Sequence, residues 1–297
     1  MTISQLPFAS RYFSAPDGLR LHVRDYGSPL DPGVPVVCLP GLTRNSADFG
    51  PLASALASGR AGEKRRVLAL DSRGRGLSER DRNWRNYTLE VESGDLLAVL
   101  TATGIARAVF VGTSRGGLLT MGLAATRPSV IHAVVLNDIG PVVEPRGMAR
   151  IRSYVGKLPP PHTATDAIDL LKRLMSRQFT SVGEEDWALY AKLSFADAKG
   201  NYGARYDPQL LKPLESLDLE QPLPSFWPQF DGLRNVPLLV LRGANSDILS
   251  AETFAEMKRR HPSCESLVIE GQGHPPLLLD AASIDGISQF VAAADPR

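Results

Sequence analysis

Short apolar runs rich in β-branched residues alternate with longer amphipathic segments, and this alternation constrains the fold of the chain more than any other feature. The runs predict strands at 20–26, 35–40, 66–71, 108–113, 132–138, 236–243 and 265–271. Between them, helices are predicted near 46–57, 88–104, 115–127, 250–261 and 281–294, three of which follow polar starts at Asn45, Thr88 and Ser250. Several strand runs are apolar on both alternations, as in strands that are covered on both faces. We therefore predict an α/β fold with a mostly parallel sheet.

One region interrupts this rhythm. Residues 141–235 contain no strand-like run, and the proline-rich stretches K-L-P-P-P-H-T and Q-P-L-P-S-F-W-P-Q-F bracket helical segments. This pattern indicates a helical insertion, so that the chain leaves the sheet and later returns to it. We expect a core domain made of 1–140 and 236–297, with 141–235 as a separate helical domain.

The charge and cysteine content exclude several classes of function. With 33 basic and 32 acidic residues, the formal net charge of +1 provides no overall field toward nucleic acid or an acidic membrane. Two cysteines cannot form a disulfide framework or a four-thiolate metal site. No apolar run approaches the roughly 20 residues of a membrane span, and the N-terminus lacks a secretory pattern. We expect a cytoplasmic protein with a small-molecule partner, and the oligomeric state stays open.

A lone serine stands between glycines where a predicted strand gives way to a predicted helix. The sequence Gly112-Thr113-Ser114-Arg115-Gly116 matches G-x-S-x-G, in which a sharp strand-to-helix turn exposes the serine hydroxyl. The alternative is a glycine-rich turn whose serine caps the helix. If Ser114 is a nucleophile, the backbone N–H of Arg115 at the helix start points toward the position of an oxyanion.

A serine nucleophile requires a histidine base, which in turn requires a carboxylate. Among the five histidines, His274 follows the last strand run in the glycine-containing stretch E-G-Q-G-H-P-P-L-L. The carboxylate is expected at another strand end, between the serine and the histidine in sequence. Asp247 in R-G-A-N-S-D-I-L is our first choice, and Asp138 in L-N-D-I-G-P, which also ends a strand, is its rival.

The order Ser114, Asp247, His274, together with the G-T-S-R-G-G stretch, resembles the α/β-hydrolase superfamily. The resemblance extends over nearly the whole chain. The segment L-P-G-L-T-R-N-S-A-D-F is similar to the oxyanion loop of this family, which implies that the backbone N–H of Leu42 joins that of Arg115. D-S-R-G-R-G-L-S is similar to a recurrent family segment with a structural role. The resemblance implies an eight-stranded sheet and makes 141–235 a cap over the nucleophile.

Two positions depart from the usual family pattern. Pro40-Gly41 replaces the His-Gly that many members carry in the oxyanion loop, and Arg115 replaces the more common Met, Leu or Gln after the nucleophile. The Arg115 guanidinium could bind an acidic group of the substrate, or it could form a structural ion pair. For the ion pair we consider Asp48, Asp71 and Asp138 as partners.

The resemblance implies a serine hydrolase that cleaves small or medium, largely apolar carboxylic esters, with no metal or organic cofactor. Hydrolysis of a carbon–carbon bond or a lactone by the same triad is the alternative, followed by a non-catalytic ligand-binding protein on a hydrolase scaffold. Aromatic residues of the cap are candidates for the pocket wall, although residues at helical spacing more often pack in the core. These are Tyr154, Phe179, Trp187, Tyr190, Phe195, Phe226, Trp227 and Phe230.

Overall fold

The chain contains one mixed β-sheet at its centre. A computed structural model describes residues 6–157, 159–197 and 199–296 of the chain. The strands are β1 (Ala9–Ser14), β2 (Arg20–Tyr26), β3 (Val36–Leu39), β4 (Val67–Asp71), β5 (Ala108–Thr113), β6 (Ile131–Asn137), β7 (Leu238–Gly243) and β8 (Cys264–Ile269). Their order across the sheet is β1-β2-β4-β3-β5-β6-β7-β8. The pairings of β2 are antiparallel, and the pairings from β4 to β8 are parallel. The predicted eight-stranded, mostly parallel sheet is confirmed.

Helices connect the parallel strands. They are α1 (Gly50–Ala57), α2 (Leu89–Thr103), α3 (Arg115–Thr126), α4 (Pro145–Tyr154), α5 (Ala164–Met175), α6 (Glu184–Phe195), α7 (Lys212–Glu215), α8 (Trp227–Asp231), α9 (Ala251–Arg260) and α10 (Ala281–Ala293). The predicted polar starts are confirmed: Asn45 caps the short 3₁₀ turn before α1, Thr88 caps α2 and Ser250 caps α9. Within the described ranges, no helix is long and apolar enough to cross a bilayer.

The central strands are buried on both faces, as their apolar sequences require. The side chains of β3, β4 and β5 are buried along the whole of each strand, and those of β6 almost so. Two apolar clusters result, one on each face of the sheet. Because β3, β5, β6, β7 and β8 run parallel, their carboxyl ends meet at one edge, where ligands bind in sheets of this type.

The strand that the sequence pattern missed is β1. Its side chains are mostly exposed, and it lies at the edge of the sheet, paired with β2 alone. An edge strand with little burial needs no continuous apolar run, so its sequence A-S-R-Y-F-S carries a weak signal.

The segment between β6 and β7 contains the helices α4 to α8. Helices α5 and α6 share a small apolar cluster, here called the α5–α6 cluster, which includes Leu171 and Trp187 and also Leu277 of the loop after β8. By contrast, Phe230 of α8 is buried in the main cluster beneath α3. The predicted domain boundary at residue 235 remains a prediction, because the last helix before it packs with the core.

Candidate active site

Ser114 occupies a strained turn between β5 and α3. Its backbone has φ +50° and ψ −114°, a conformation that residues other than glycine rarely adopt. The glycines around it allow the helix to begin against the strand, since a Cβ on Gly112 would lie 2.6 Å from the Gly117 Cα. A Cβ on Gly116 would collide with the Leu39 carbonyl oxygen of β3. The turn therefore lifts the Ser114 side chain above the edge of the sheet.

We expect Gly116→Ala to lower the free energy of unfolding by about 1–3 kcal/mol, because the new methyl group must displace the β3 backbone. Gly122→Ala is the matched control, since Gly122 lies in the same helix and a Cβ there meets nothing within 4 Å. The Gly122→Ala change is expected to raise the free energy of unfolding by about 0.5–1 kcal/mol. Denaturant unfolding of both variants measures the difference, and equal effects would contradict the close approach at Gly116.

His274 lies in the loop after β8 and is hydrogen-bonded to Ser114 and to Asp138. The Ser114 Oγ is 2.9 Å from His274 Nε2, and His274 Nδ1 is 2.8 Å from Asp138 Oδ2. An ionised carboxylate only accepts hydrogen bonds, so Nδ1 carries the ring proton and Nε2 accepts from the serine hydroxyl. The same hydrogen-bond pattern is expected of a serine nucleophile, a general base and a carboxylate that orients the base.

Asp138 is fully buried directly after β6 and accepts three hydrogen bonds. Its Oδ1 accepts from the Gly243 backbone N–H at 2.8 Å, and its Oδ2 accepts from Ser246 Oγ at 2.6 Å as well as from His274. These donors come from the end of β7, the loop after it and the histidine loop. The carboxylate is therefore fixed and solvated by the protein rather than by water.

The first choice of acid in the sequence analysis is corrected by this geometry. Asp247 does not contact His274; its two oxygens accept from Arg150 Nε and Nη2 of α4 at 2.6 and 2.8 Å. Although burial raises the pKa of the Asp247 carboxyl, Arg150 outweighs that effect and lowers the pKa below its usual value. The reason is the direction of the loop after β7, which turns Ser246 toward Asp138 and Asp247 outward to α4.

Two buried amides hold the histidine loop in place. Gln272 donates to Asp280 at 3.0 Å and accepts from the Leu277 backbone N–H at 2.9 Å. Asn137, the last residue of β6, donates to the Pro276 carbonyl at 3.0 Å. The Gln272 contacts brace the loop internally around His274, and the Asn137 contact fastens it to the sheet edge that carries Ser114.

The loop after β3 lies directly beside Ser114. A Cβ on Gly41 would be 3.7 Å from the Ser114 Cβ, and the next residue, Leu42, lines the same pocket as the serine. Within the described ranges, the backbone N–H groups of Leu42 and Arg115 donate to no other residue. Both predicted oxyanion donors are thus available on the two segments that flank the nucleophile.

The Arg115 side chain forms an ion pair, but with a partner that the sequence analysis did not consider. Its Nε and Nη2 donate to Glu92 of α2 at 2.9 and 3.0 Å, not to Asp48, Asp71 or Asp138. Glu92 is buried, and it also accepts from Arg75. Its sequence signal is its spacing from Leu96 and Val99, which places Glu92, like Asp95, on the buried face of α2, where a carboxylate requires a buried cation.

A pocket of about 130 Å³ opens onto Ser114 and His274. Much of its apolar wall comes from α5, through Leu170, Leu171 and Leu174. Three of the eight aromatic candidates from the sequence line it, and these are Tyr154, Tyr190 and Phe195. The other five pack elsewhere, among them Trp187 in the α5–α6 cluster. No cluster of three or more His, Cys, Asp or Glu side chains suited to a metal ion occurs in the described parts of the chain.

A second Ser–His–Asp chain exists away from this pocket. Ser10 Oγ of β1 is 2.6 Å from His22 Nε2, and His22 Nδ1 is 2.8 Å from Asp71. Ser10 lies in the extended, exposed edge strand and does not line the pocket that contains Ser114. Asp71 also accepts from the backbone N–H groups of Ser46 and Leu77. We interpret this chain as an anchor between strands, and Ser10 serves below as a control serine.

Comparison with known proteins shows which family and which solved structure the chain is similar to. A model of the alpha/beta hydrolase family matches residues 36–284. The chain is similar to a 3-hydroxybutyrate-oligomer hydrolase of Cupriavidus necator, with 32% identity over 94% of this chain and 96% of that protein. It is also similar to an sn-1-specific diacylglycerol lipase of Xenopus tropicalis, with 28% identity over 82% and 73%. The crystal structure of an alpha/beta hydrolase from Novosphingobium aromaticivorans has a TM-score of 0.85 and 40% identity, covering 98% of this chain and 99% of its own.

Proposed function

The chain is an enzyme of the α/β hydrolase family, and we propose that it cleaves small or medium, largely apolar carboxylic esters through an acyl-enzyme on Ser114. The observation that carries this proposal is the hydrogen-bonded series Ser114, His274 and Asp138, of which Ser114 and His274 line a pocket. The names of the two curated relatives, both hydrolases of ester-containing compounds, support the same class of bond.

In the proposed reaction, the ester carbonyl lies within reach of Ser114 Oγ. The oxygen attacks the carbonyl carbon while His274 Nε2 takes the hydroxyl proton, and Asp138 stabilises the imidazolium that forms. The backbone N–H groups of Leu42 and Arg115 hydrogen-bond the tetrahedral oxyanion. Collapse breaks the ester bond, and His274 gives its proton to the departing alcohol. Water then attacks the acyl group by the same steps and restores the free serine.

The size and lining of the pocket support short acyl groups. A volume of about 130 Å³ with an apolar wall from α5 suits a compact acyl chain better than a long one. Because one relative is named for hydrolysis of 3-hydroxybutyrate oligomers, we extend the proposal to short oligoesters of hydroxy acids. Such a compound offers several ester bonds separated by short, branched, apolar units.

The test combines covalent labelling with a panel of esters. A fluorophosphonate is expected to form one adduct per chain on Ser114, mapped by mass spectrometry, in the wild type and in Ser10→Ala, and none in Ser114→Ala. Aryl esters from acetate to dodecanoate, a lactone and the 3-hydroxybutyrate dimer and trimer are then compared by kcat/KM. Folded protein that neither reacts with the fluorophosphonate nor hydrolyses any ester would overturn the proposal, and a lactone preferred over every open ester would replace it.

The pocket wall predicts how chain-length preference responds to mutation. Leu174→Ala is expected to move the preferred acyl chain toward longer esters, because removing the side chain enlarges the pocket. Ile168→Ala is the matched control, since Ile168 lies in the same helix and packs against the same α5–α6 cluster as Leu174 but does not line the pocket. The ratio of kcat/KM for octanoate to that for butyrate measures the shift. The same ratio in both variants would mean that α5 does not contact the acyl chain.

A further inference from the structure

Three charged side chains form a buried cluster beneath the nucleophile turn. Glu92 Oε1 accepts from Arg75 Nη1 at 2.7 Å and from Arg115 Nη2 at 3.0 Å, and Glu92 Oε2 accepts from Arg115 Nε at 2.9 Å. Arg75 and Glu92 are almost completely buried, and Arg115 is mostly so. With both oxygens occupied and little room around them, the carboxylate has one available position.

Each arginine of the cluster connects Glu92 to one of the two segments that carry the oxyanion donors. Arg115 contributes its own backbone N–H, and its side chain is the part that Glu92 holds. Arg75 donates from Nε to the Leu42 carbonyl at 2.7 Å, so it holds the loop that presents the Leu42 amide. One carboxylate therefore connects two segments that are distant in sequence.

The carboxylate is needed because two guanidinium groups are buried together. Burial alone lowers the pKa of Arg75, and the nearby positive charge of Arg115 acts in the same direction. Although burial raises the pKa of Glu92, the positive charges of Arg115 and Arg75 outweigh it and keep the carboxyl ionised. Without an anion between them, the guanidinium groups of Arg75 and Arg115 would repel each other. This repulsion would increase the distance between the Leu42 loop and the start of α3.

We propose that Glu92 is a positioning residue that sets the spacing of the Leu42 and Arg115 amides through Arg75 and Arg115. The inference rests on the proposed function, because these amides matter only if an oxyanion forms at Ser114. It predicts that Glu92 acts on the transition state and not on substrate binding, since the ester carbonyl needs both donors most when its oxygen becomes charged.

Electrostatics and positioning predict opposite results for the isosteric change Glu92→Gln. The change removes a negative charge near the oxyanion, so a purely electrostatic effect would raise the rate. It also turns an NH₂ group toward one of the guanidinium donors, which breaks the clamp on that side. A lower rate therefore reports lost positioning. We expect kcat to fall by about 10-fold to 100-fold with KM little changed, as for a misplacement of an ångström or less.

Asp95→Asn provides the matched control. Asp95 lies one turn further along α2 and forms an equally buried pair with Arg73, but it contacts neither the Leu42 loop nor Arg115. Both variants are compared with the wild type by kcat and KM on a short ester, by the rate of fluorophosphonate labelling at Ser114, and by the thermal unfolding midpoint. If Glu92→Gln does not fold, Glu92→Asp takes its place: it keeps the negative charge but shortens the side chain, so a lower rate again reports lost positioning.

Slower turnover and labelling in Glu92→Gln, with Asp95→Asn close to wild type, would support the inference. Equal losses in the two variants would overturn it, because both would then act through general destabilisation. Unchanged kinetics in Glu92→Gln would also overturn it, while wild-type labelling at Ser114 would leave the proposed function standing. A wild-type protein that neither turns over nor labels would overturn both.

Discussion

Replacing Ser114 with alanine is expected to lower kcat on a short ester by at least about 10⁴-fold. In the proposed reaction, the change removes the atom that attacks the carbonyl, and among the described residues no other hydroxyl group is hydrogen-bonded to His274. His274→Ala is expected to have a loss of similar size, because the serine then has no base. KM is expected to change little, since the pocket wall and the two amides are untouched. Steady-state kinetics on protein of unchanged thermal midpoint measures both effects.

Ser10→Ala distinguishes this result from the loss of any histidine-bonded serine. Ser10 has the same kind of hydrogen bond to a buried histidine, yet it lies on an exposed strand away from the pocket. Its variant is expected to keep wild-type kcat. A Ser114→Ala protein that keeps more than about a tenth of the wild-type kcat would place the nucleophile elsewhere.

The second large effect is expected at Asp138. In Asp138→Asn, one oxygen is replaced by an NH₂ group, so either the Gly243 N–H or the His274 Nδ1–H and Ser246 hydroxyl face a donor. With the NH₂ group toward Gly243, His274 keeps an acceptor but loses the negative charge that stabilises the imidazolium. In the other orientation it also loses the acceptor that fixes its tautomer, so kcat is expected to fall by about 10⁴-fold in either case. Because the site is buried, the free energy of unfolding is also expected to fall by about 1–3 kcal/mol.

Asp247→Asn is the matched comparison, because it also follows a strand of the same edge. It weakens the pair with Arg150 of α4 but leaves the His274 hydrogen bonds intact, so kcat is expected to fall by less than about tenfold. Both proteins are compared by kcat and by denaturant unfolding. The reverse order of effects on kcat would return the role of the acid to Asp247.

The fold was largely predictable because burial on both faces leaves a strong trace in the sequence. The parallel strands appear as apolar runs, and three polar residues mark where helical segments start: Asn45 caps the 3₁₀ turn before α1, Thr88 caps α2 and Ser250 caps α9. The edge strand β1 was not predictable in this way. Its exposed side chains follow no apolar pattern, and its position depends on pairing with β2.

The candidate site was predictable where local backbone geometry selects the residue. The glycines around Ser114 indicate a close approach of helix and strand, and the loop of His274 follows a strand at the same edge. The choice between Asp138 and Asp247 was not decidable from sequence, because parallel strands bring both to that edge. It depends on the path of the loop after β7 and on Arg150, which lies about a hundred residues earlier and pairs with Asp247.

Glu92 escaped the sequence analysis for a related reason. A single acidic residue in a helix is ordinarily exposed, and only its place on an apolar face marks it as buried. Its partner Arg75 lies in the loop after β4, and its partner Arg115 is the first residue of α3. The cluster therefore forms only when the chain folds.

The location of Asp138 directly after β6 means that two parts of the chain supply the site residues. Thr113 and Asn137 are paired in register on the neighbouring strands β5 and β6, so Ser114 and Asp138 are the next residues on the two strands. A single strand–helix–strand unit therefore supplies both, before the chain enters α4. Only His274 arrives from beyond the long helical segment. Changes in the length or sequence of that segment can alter the pocket without changing the spacing of Ser114 and Asp138.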